Sequence, residues 1–524
     1  MSKKPRIVKK PQPPRRAKAT RPAGRPGTKA ARAAAGSAGG MYNVREFGAV
    51  GDGKAKDTAA IAAAIAAAGR AGGGTVLLPA GQYLTGTVAL QSNITLHLDS
   101  GAVILGSGGP EDYPVMAAGT VEGLNQDVRQ SLIWALDARD IAVVGRGTID
   151  GQGWHWWKPK PRPDGEARRL RENLRPRMVE LLRCTNVRLA GITCRNSASW
   201  TIHPLVCDNV TVDGITICNP PDSPNTDGIN PEACANVRIA NCHIDVGDDC
   251  ITIKSGTENE PFRSSRPCEN ITVTGCTMLH GHGGVVIGSE MAGGVRHVAI
   301  GNCVFDGTDR GIRIKTCRGR GSAVECVSVS NVVMRGVRSV VHFTMFYTGT
   351  HLDPAPDAHR VSFEPVGPGT PRVRNVRLSD ILAEDCNEVG YIAGLPEMPI
   401  EDVALVNVRV TARRALFAAR VRGLTLHDAQ IAVAAGPTVV CEDVEDLDIA
   451  GLRERGGETA GATIELTGVK GASVRDCRPG PSGRLVRVEG EGSERIVVGP
   501  NPLASGGEVV TLAGGVDSRA VKRL

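Results

Sequence analysis

The chain has 524 residues, a formal charge of +7, 3% aromatic residues and 65 glycines. Such a length exceeds the usual domain, the scarcity of aromatics argues against a thick globular core, and no apolar run approaches the roughly 20 residues that cross a bilayer. The basic balance is local: residues 1–40 hold twelve Lys or Arg and no acid, and the remainder carries 50 basic against 55 acidic groups, a charge of −5.

Residues 1–40 read as a disordered basic Pro/Ala-rich tail, a better reading than a nucleic-acid-binding arm. Arg15-Arg16 resembles a twin-arginine signal without the apolar region that must follow. No secretion signal is read, and a cytoplasmic location is the expectation. After Tyr42-Asn-Val-Arg-Glu-Phe-Gly, Asp57 is placed to cap a short helix through Ala68, with Ile61 and Ile65 on one face. A helix there would cover the open end of a stack of strands.

A phrase of the form polar-Asn-Val-x-apolar-x-small-apolar then recurs. It begins at Asn186, Asn209, Asn236, Asn270 and His297, and returns at Asn375, Asp402, Gly423 and Asp446. Alternating apolar residues give strands with one buried face, and a fixed period of this length gives a solenoid. The units are rich in Val, Ile, Thr, Gly and Asn and lack helical spacing. The fold expected is therefore all-β, a single-stranded parallel β-helix with a short N-terminal capping helix. It divides into a catalytic β-helix over 41–455 and continuing coils or a cap over 456–524.

Two steps are long. The stretch between Asp140 and Asn186 contains Trp154, Trp156, Trp157 and eight basic residues between Lys158 and Arg177; that between Cys326 and Asn375 contains Tyr347 and several prolines. Long insertions project as loops beside a binding face, where aromatic rings suit sugars and Arg or Lys suits carboxylates. A local mini-core is the competing reading for Trp156 and Trp157. The fifteen cysteines are odd in number and show no zinc spacing. Cys194, Cys218, Cys242, Cys276 and Cys303 occupy positions equivalent to Ile or Val, as buried free thiols would.

Four polar stretches interrupt this pattern: Asn225-Thr226-Asp227, Gly247-Asp248-Asp249, Gly281-His282-Gly283 and Arg313-Ile314-Lys315. Their offsets from the coil anchors are similar, so four consecutive coils would align them in one column. Two carboxyl groups about 6.5–9.5 Å apart suit inverting glycoside hydrolysis, one as acid and the other activating water. Repulsion between Asp248 and Asp249 would raise the proton affinity of one. Strict alternation would point Asp249 inward, so this stretch must lie at a bend. Arg313 and Lys315 point outward while Ile312 and Ile314 point inward, and paired cations suit an acidic substrate.

In this order and spacing the four stretches resemble the signature motifs of the polygalacturonase family of glycoside hydrolases. Gly147-Thr-Ile-Asp-Gly-Gln-Gly, Trp200-Thr-Ile-His-Pro and Gly288-Ser-Glu-Met extend the likeness over roughly residues 42 to 420. Gly283-Gly-Val-Val-Ile-Gly and Asp309-Arg-Gly-Ile-Arg-Ile-Lys resemble the bacterial exo-acting branch. The resemblance implies a right-handed parallel β-helix (pectin lyase-like) that hydrolyses α-1,4-galacturonide bonds of pectin with inversion and without metal or other cofactor. By the same resemblance Asp248 is the general acid, Asp227 and Asp249 hold and activate water, and His282 supports the acid. Asn225, Arg313 and Lys315 bind substrate, the two cations at a galacturonate carboxylate. The expected partner is an acidic polysaccharide or oligogalacturonide, with no membrane or nucleic acid, and the chain is expected to be a monomer. The rival readings are a rhamnogalacturonan or xylogalacturonan hydrolase, a calcium-dependent pectate lyase and a non-catalytic β-helix adhesin.

Overall fold

The apolar alternation becomes parallel pairing between coils. In this computed structural model the residues described are 40–117, 127–157, 174–349, 358–456, 461–503 and 507–524. The tail before Gly40 and the basic stretch from Lys158 to Arg171 lie outside them. Three columns of strands run the length of the stack. One passes through Thr185–Ala190, Asp208–Asp213, Ala235–Ala240 and Cys268–Thr274, a second through Thr193–Arg195, Thr216–Cys218, His243–Val246 and Thr277–His280. The third begins at Val88–Ala89 and continues through Ile133–Leu136, Val179–Leu182 and Ile202–Leu205. Among the described residues the one antiparallel pair is Val115–Met116 with Val128–Arg129.

The residues that open each repeated phrase have a shared backbone reason. Asn186, Asn209, Asn236, Asn270, His297, Asn375, Asp402, Gly423 and Asp446 all have φ between +54° and +74°. This left-handed conformation is tolerated best by Gly, Asn and Asp. The side chains also bridge coils: Asn186 Nδ2 donates to Asp140 Oδ1 at 2.9 Å, and Asn209 Nδ2 to Asn186 Oδ1 at 2.6 Å. Val210, Val212, Ile215 and Ile217 point the other way and are fully buried, as their equivalents are in coil after coil.

Helix α1 (Thr58–Arg70) packs against the first strands and buries Ile61, Ala64, Ile65 and Ala68. Asp57 precedes it but does not cap it. Its carboxylate instead accepts from the amides of Val50 at 2.6 Å and Gly51 at 3.0 Å, tying the entering loop to the helix start. Cys194, Cys242, Cys276 and Cys303 are buried, but Cys218 is exposed. It follows the inward Ile217, so its own position faces outward. Among the described residues no helix is long and apolar enough to cross a membrane. The coils continue with the same pairing to Val521–Arg523.

Candidate active site

Strand register places the four polar stretches together. In the third column Ile229 pairs with Ile251, Ile251 with Val285, and Val285 with Ile312. Asp227 and Asp249 each lie two residues before their paired isoleucine, on adjacent coils. Asp248 and His282 are likewise equivalent, each three residues before Ile251 or Val285. One oxygen from each of Asp227, Asp248 and Asp249 lies within 4.8 Å of the others. The expected separation of about 6.5–9.5 Å is thus not met: one coil rise, about 4.8 Å, sets the spacing.

Gly247-Asp248-Asp249 forms the anticipated bend. Its glycine is needed for room, since a Cβ there would lie 2.4 Å from the carbonyl oxygen of Ser223 and 2.7 Å from that of Pro220. Gly283 has a related function. A Cβ would stand 3.5 Å from Asp249 Oδ1 and 2.4 Å from Val286, where the Asp249 carboxylate reaches across to the next cations.

Those cations are buried, not on an open outer face. Arg313 is 2% and Lys315 7% exposed, while Ile312 and Ile314 point inward as expected. Lys315 Nζ stands 2.7 Å from Asp249 Oδ2, and an Arg313 nitrogen 3.8 Å from Asp249 Oδ1. Asp249 Oδ1 and Arg313 Nε have no hydrogen-bond partner among the described residues. The buried carboxylate therefore has an acceptor, and the buried guanidinium a donor, without a protein partner among the described residues.

Three carboxyl groups this close do not all ionise readily. Burial, with the Asp248 charge beside it, pushes the Asp227 carboxyl up to about 8. Burial would also raise Asp248, but the hydrogen bond and charge of His282 outweigh it and hold that carboxyl at about 2. His282 Nδ1 is 3.0 Å from Asp248 Oδ1. Burial opposes protonation of this imidazole, yet the bond to Asp248 raises its affinity for a proton above the ordinary value.

The cleft around these groups encloses about 460 Å³. Asn225 stands at its rim, exposed, with Oδ1 accepting from Arg175 at 2.7 Å. Tyr347, expected beside a binding face, lines the cleft, as do Trp200, Lys254 and Glu290, which were not singled out as site residues in the sequence. Lys254 had a legible signal: Ile251-Thr-Ile-Lys254 repeats Ile312-Arg-Ile-Lys315 at the same register, two coils earlier. Trp156 instead packs edge-on against Tyr113 at 5.7 Å, and Trp157 Nε1 donates to the Ser197 carbonyl at 3.0 Å, which makes them a local core. The aspartate triad is the candidate cation site among the described residues, but Asp249 already has Lys315 and Asp227 retains a proton. That donor set suits a calcium ion, which takes six to eight oxygen ligands, poorly.

A parallel β-helix with an outward column of acids, imidazole and cations defines a class of carbohydrate-active protein. Residues 79–412 match glycosyl hydrolases family 28. The chain belongs to that family and is a glycoside hydrolase. It is 33% identical over 374 residues to a probable polygalacturonase of Vitis vinifera, covering 70% of this chain and 73% of that one. An exopolygalacturonase from Thermotoga maritima superposes with a TM-score of 0.65 at 29% identity, over 75% of this chain and 91% of the other. The family 28 exopolygalacturonase of Yersinia enterocolitica gives 0.61 at 25% identity, over 83% and 78%. The resemblance to polygalacturonases and the parallel β-helix are both borne out, and the lyase, adhesin and other-pectin readings are not favoured.

Proposed function

We propose that this protein hydrolyses α-1,4-galacturonide bonds of polygalacturonate and pectic oligosaccharides, with inversion, releasing units from chain ends. The observation that carries this reading is the single register column joining Asp227, Asp248, Asp249 and His282 to the buried cations Arg313 and Lys315. Asp248 delivers to the leaving oxygen the proton that His282 holds across the 3.0 Å contact. Water sits against Asp227 and Asp249, with the Asp249 carboxylate taking its proton. Arg313 and Lys315 receive the uronate carboxylate through charge-assisted hydrogen bonds, and Asn225 contacts sugar at the rim.

End-trimming is supported by the contacts of Arg175 at the cleft rim beside Asn225. Arg175, just after the long Trp-containing insertion, donates to the carbonyls of Ala198 at 3.0 Å and Pro224 at 2.8 Å as well as to Asn225. This ties the end of the insertion to the cleft rim. The named exo-acting relatives support the same mode.

The test follows reducing ends, viscosity and ultraviolet absorbance on polygalacturonate and trigalacturonate, with Asp248→Asn as control. Saturated monomer with little early loss of viscosity is expected, and loss of turnover by about 10²–10⁴ in the variant. A rapid viscosity drop would replace end-trimming by internal cleavage, and absorbing products would move the reaction to elimination. Proton NMR of the first product is expected to show the β-anomer. The α-anomer would assign a retaining route, which the short carboxylate spacing otherwise suits.

A further inference from the structure

The reading of Arg313 and Lys315 accounts for one carboxylate next to the cut. It does not say whether the neighbouring sugar must also be acidic. The opposite side of the aspartate triad holds a second buried ammonium. Lys254 is 4% exposed and lines the cleft. Among the described residues its Nζ has one hydrogen-bond acceptor, Glu290 Oε2 at 2.7 Å. An ammonium has three donors, so two remain.

The two lysines stand in matching surroundings. Lys315 Nζ lies 5.3 Å from the centre of the Tyr347 ring, and Lys254 Nζ lies 4.9 Å from the Trp200 ring. Tyr347 follows the later coils and Trp200 belongs to the coil before Asp227. The triad is therefore flanked by an ammonium and an aromatic face on each side. By register Lys254, Gly288 and Lys315 are equivalent positions on three successive coils. The residue in the middle is a glycine, and the Glu290 carboxylate, bonded to Lys254, also feels the charge of Lys315.

We propose that Lys254, with Trp200 behind it, binds a second uronate carboxylate on the side of the cut opposite Lys315, so that the cleft reads an acidic sugar on both sides. This rests on the galacturonide-hydrolase reading and adds its specificity: unbranched runs of galacturonate over backbones that alternate with a neutral sugar. Burial lowers the proton affinity of Lys254, but Glu290 and Asp227 raise it above the ordinary value. The group therefore stays cationic as it meets an anion. Glu290, held at about 2 against its own burial by Lys254, keeps the ammonium extended into the cleft. In this assignment Lys254 is a binding and specificity residue, with no proton transferred to or from it.

The experiment compares three disaccharides as substrates for the full chain: digalacturonate, and two in which a galacturonate is joined to a neutral sugar on its reducing or its non-reducing side. Lys254→Met is expected to lower kcat/KM on digalacturonate by about 10- to 100-fold, chiefly through KM. It should change one of the mono-uronates by less than about threefold, since that substrate lacks the carboxylate Lys254 would bind. A double variant, Lys254→Met with Glu290→Gln, removes both partners and guards against misfolding from an unpaired buried carboxylate; it should show the same selectivity. Equal losses on all three substrates, or none, would overturn the assignment and leave Lys254 as scaffold. A wild-type enzyme that cleaves none of them overturns the galacturonide reading itself.

Discussion

The coils that carry Asp227 to Lys315 and the three that follow share one backbone and one register, yet their outward side chains differ completely. Arg313 pairs in register with His342, His342 with Tyr391, and Tyr391 with Phe417. At this position the earlier coils hold Thr252, Val286 and Arg313, beside the carboxylates, and the later ones hold stacked rings. His342 and Tyr391 lie 5.3 Å apart at 20°, Tyr391 and Phe417 5.3 Å apart at 19°. A spacing of one coil rise suits either use. It lets rings stack face to face, and it forces acids to share protons or find cations. The fold supplies a ruler, and the residue placed at each mark decides between site and scaffold.

The largest effects should come from breaking this division on the catalytic side. Asp249→Asn is expected to lower turnover by about 10²–10⁴ and to cost about 3–5 kcal/mol of stability, because Lys315 and Arg313 lose their buried partner. Reducing-end assays and denaturant unfolding measure the two losses. Tyr391→Ala on the scaffold side should cost about 3 kcal/mol with turnover per folded molecule unchanged. A fall in that turnover would show that the aromatic stack contributes to the cleft.

Asp227→Asn sharpens the contrast inside the site itself. Asp227 keeps its proton up to about pH 8 in the folded chain, whereas an unfolded aspartate releases it near pH 4. The folded state therefore binds more protons between those values, and stability falls as pH rises through that window. Replacement by Asn should remove this slope and stabilise the protein by about 2–4 kcal/mol at pH 7, while abolishing turnover. Asp248 has the opposite sign. Its carboxyl is held at about 2, so its contribution is present above pH 4 and lost as pH falls toward 2. Melting curves of wild type and both Asn variants from pH 3 to 9 would separate the two, and a parallel pH dependence in all three would refute the split.

The smallest expected effect is that of Tyr391→Phe. The Tyr391 hydroxyl is buried with no hydrogen-bond partner among the described residues, so its removal should be neutral or stabilise by up to about 1 kcal/mol. A clear loss of stability would reveal a partner for that oxygen.

Much of this was legible in the chain itself because a solenoid repeats its instructions. Asn186, Asn209 and Asn236 recur where each coil needs a left-handed turn, and Ile312 and Ile314 alternate with Arg313 and Lys315 as one buried face requires. Asp57, Cys218 and the triad spacing were less legible. A side chain can prefer loop amides to a helix end, and a one-residue change of phase exposes a thiol. Sequence offsets, moreover, do not contain the rise between coils. Lys254 was legible only through the repeat of Ile251-Thr-Ile-Lys254 in Ile312-Arg-Ile-Lys315, and register shows the two lysines to be equivalent.

By itself, then, the sequence determined the parallel β-helix, its coil boundaries and the membership of the polar column, because period and alternation are local properties repeated along the chain. Only the tertiary structure decided which oxygen meets which cation, where the shared proton rests, that Arg313 and Lys315 are buried against Asp249, and that Lys254 and Trp200 face them across the triad. Those are relations between residues on different coils, set by distances of a few ångströms through a low-dielectric cleft, and no single coil encodes them.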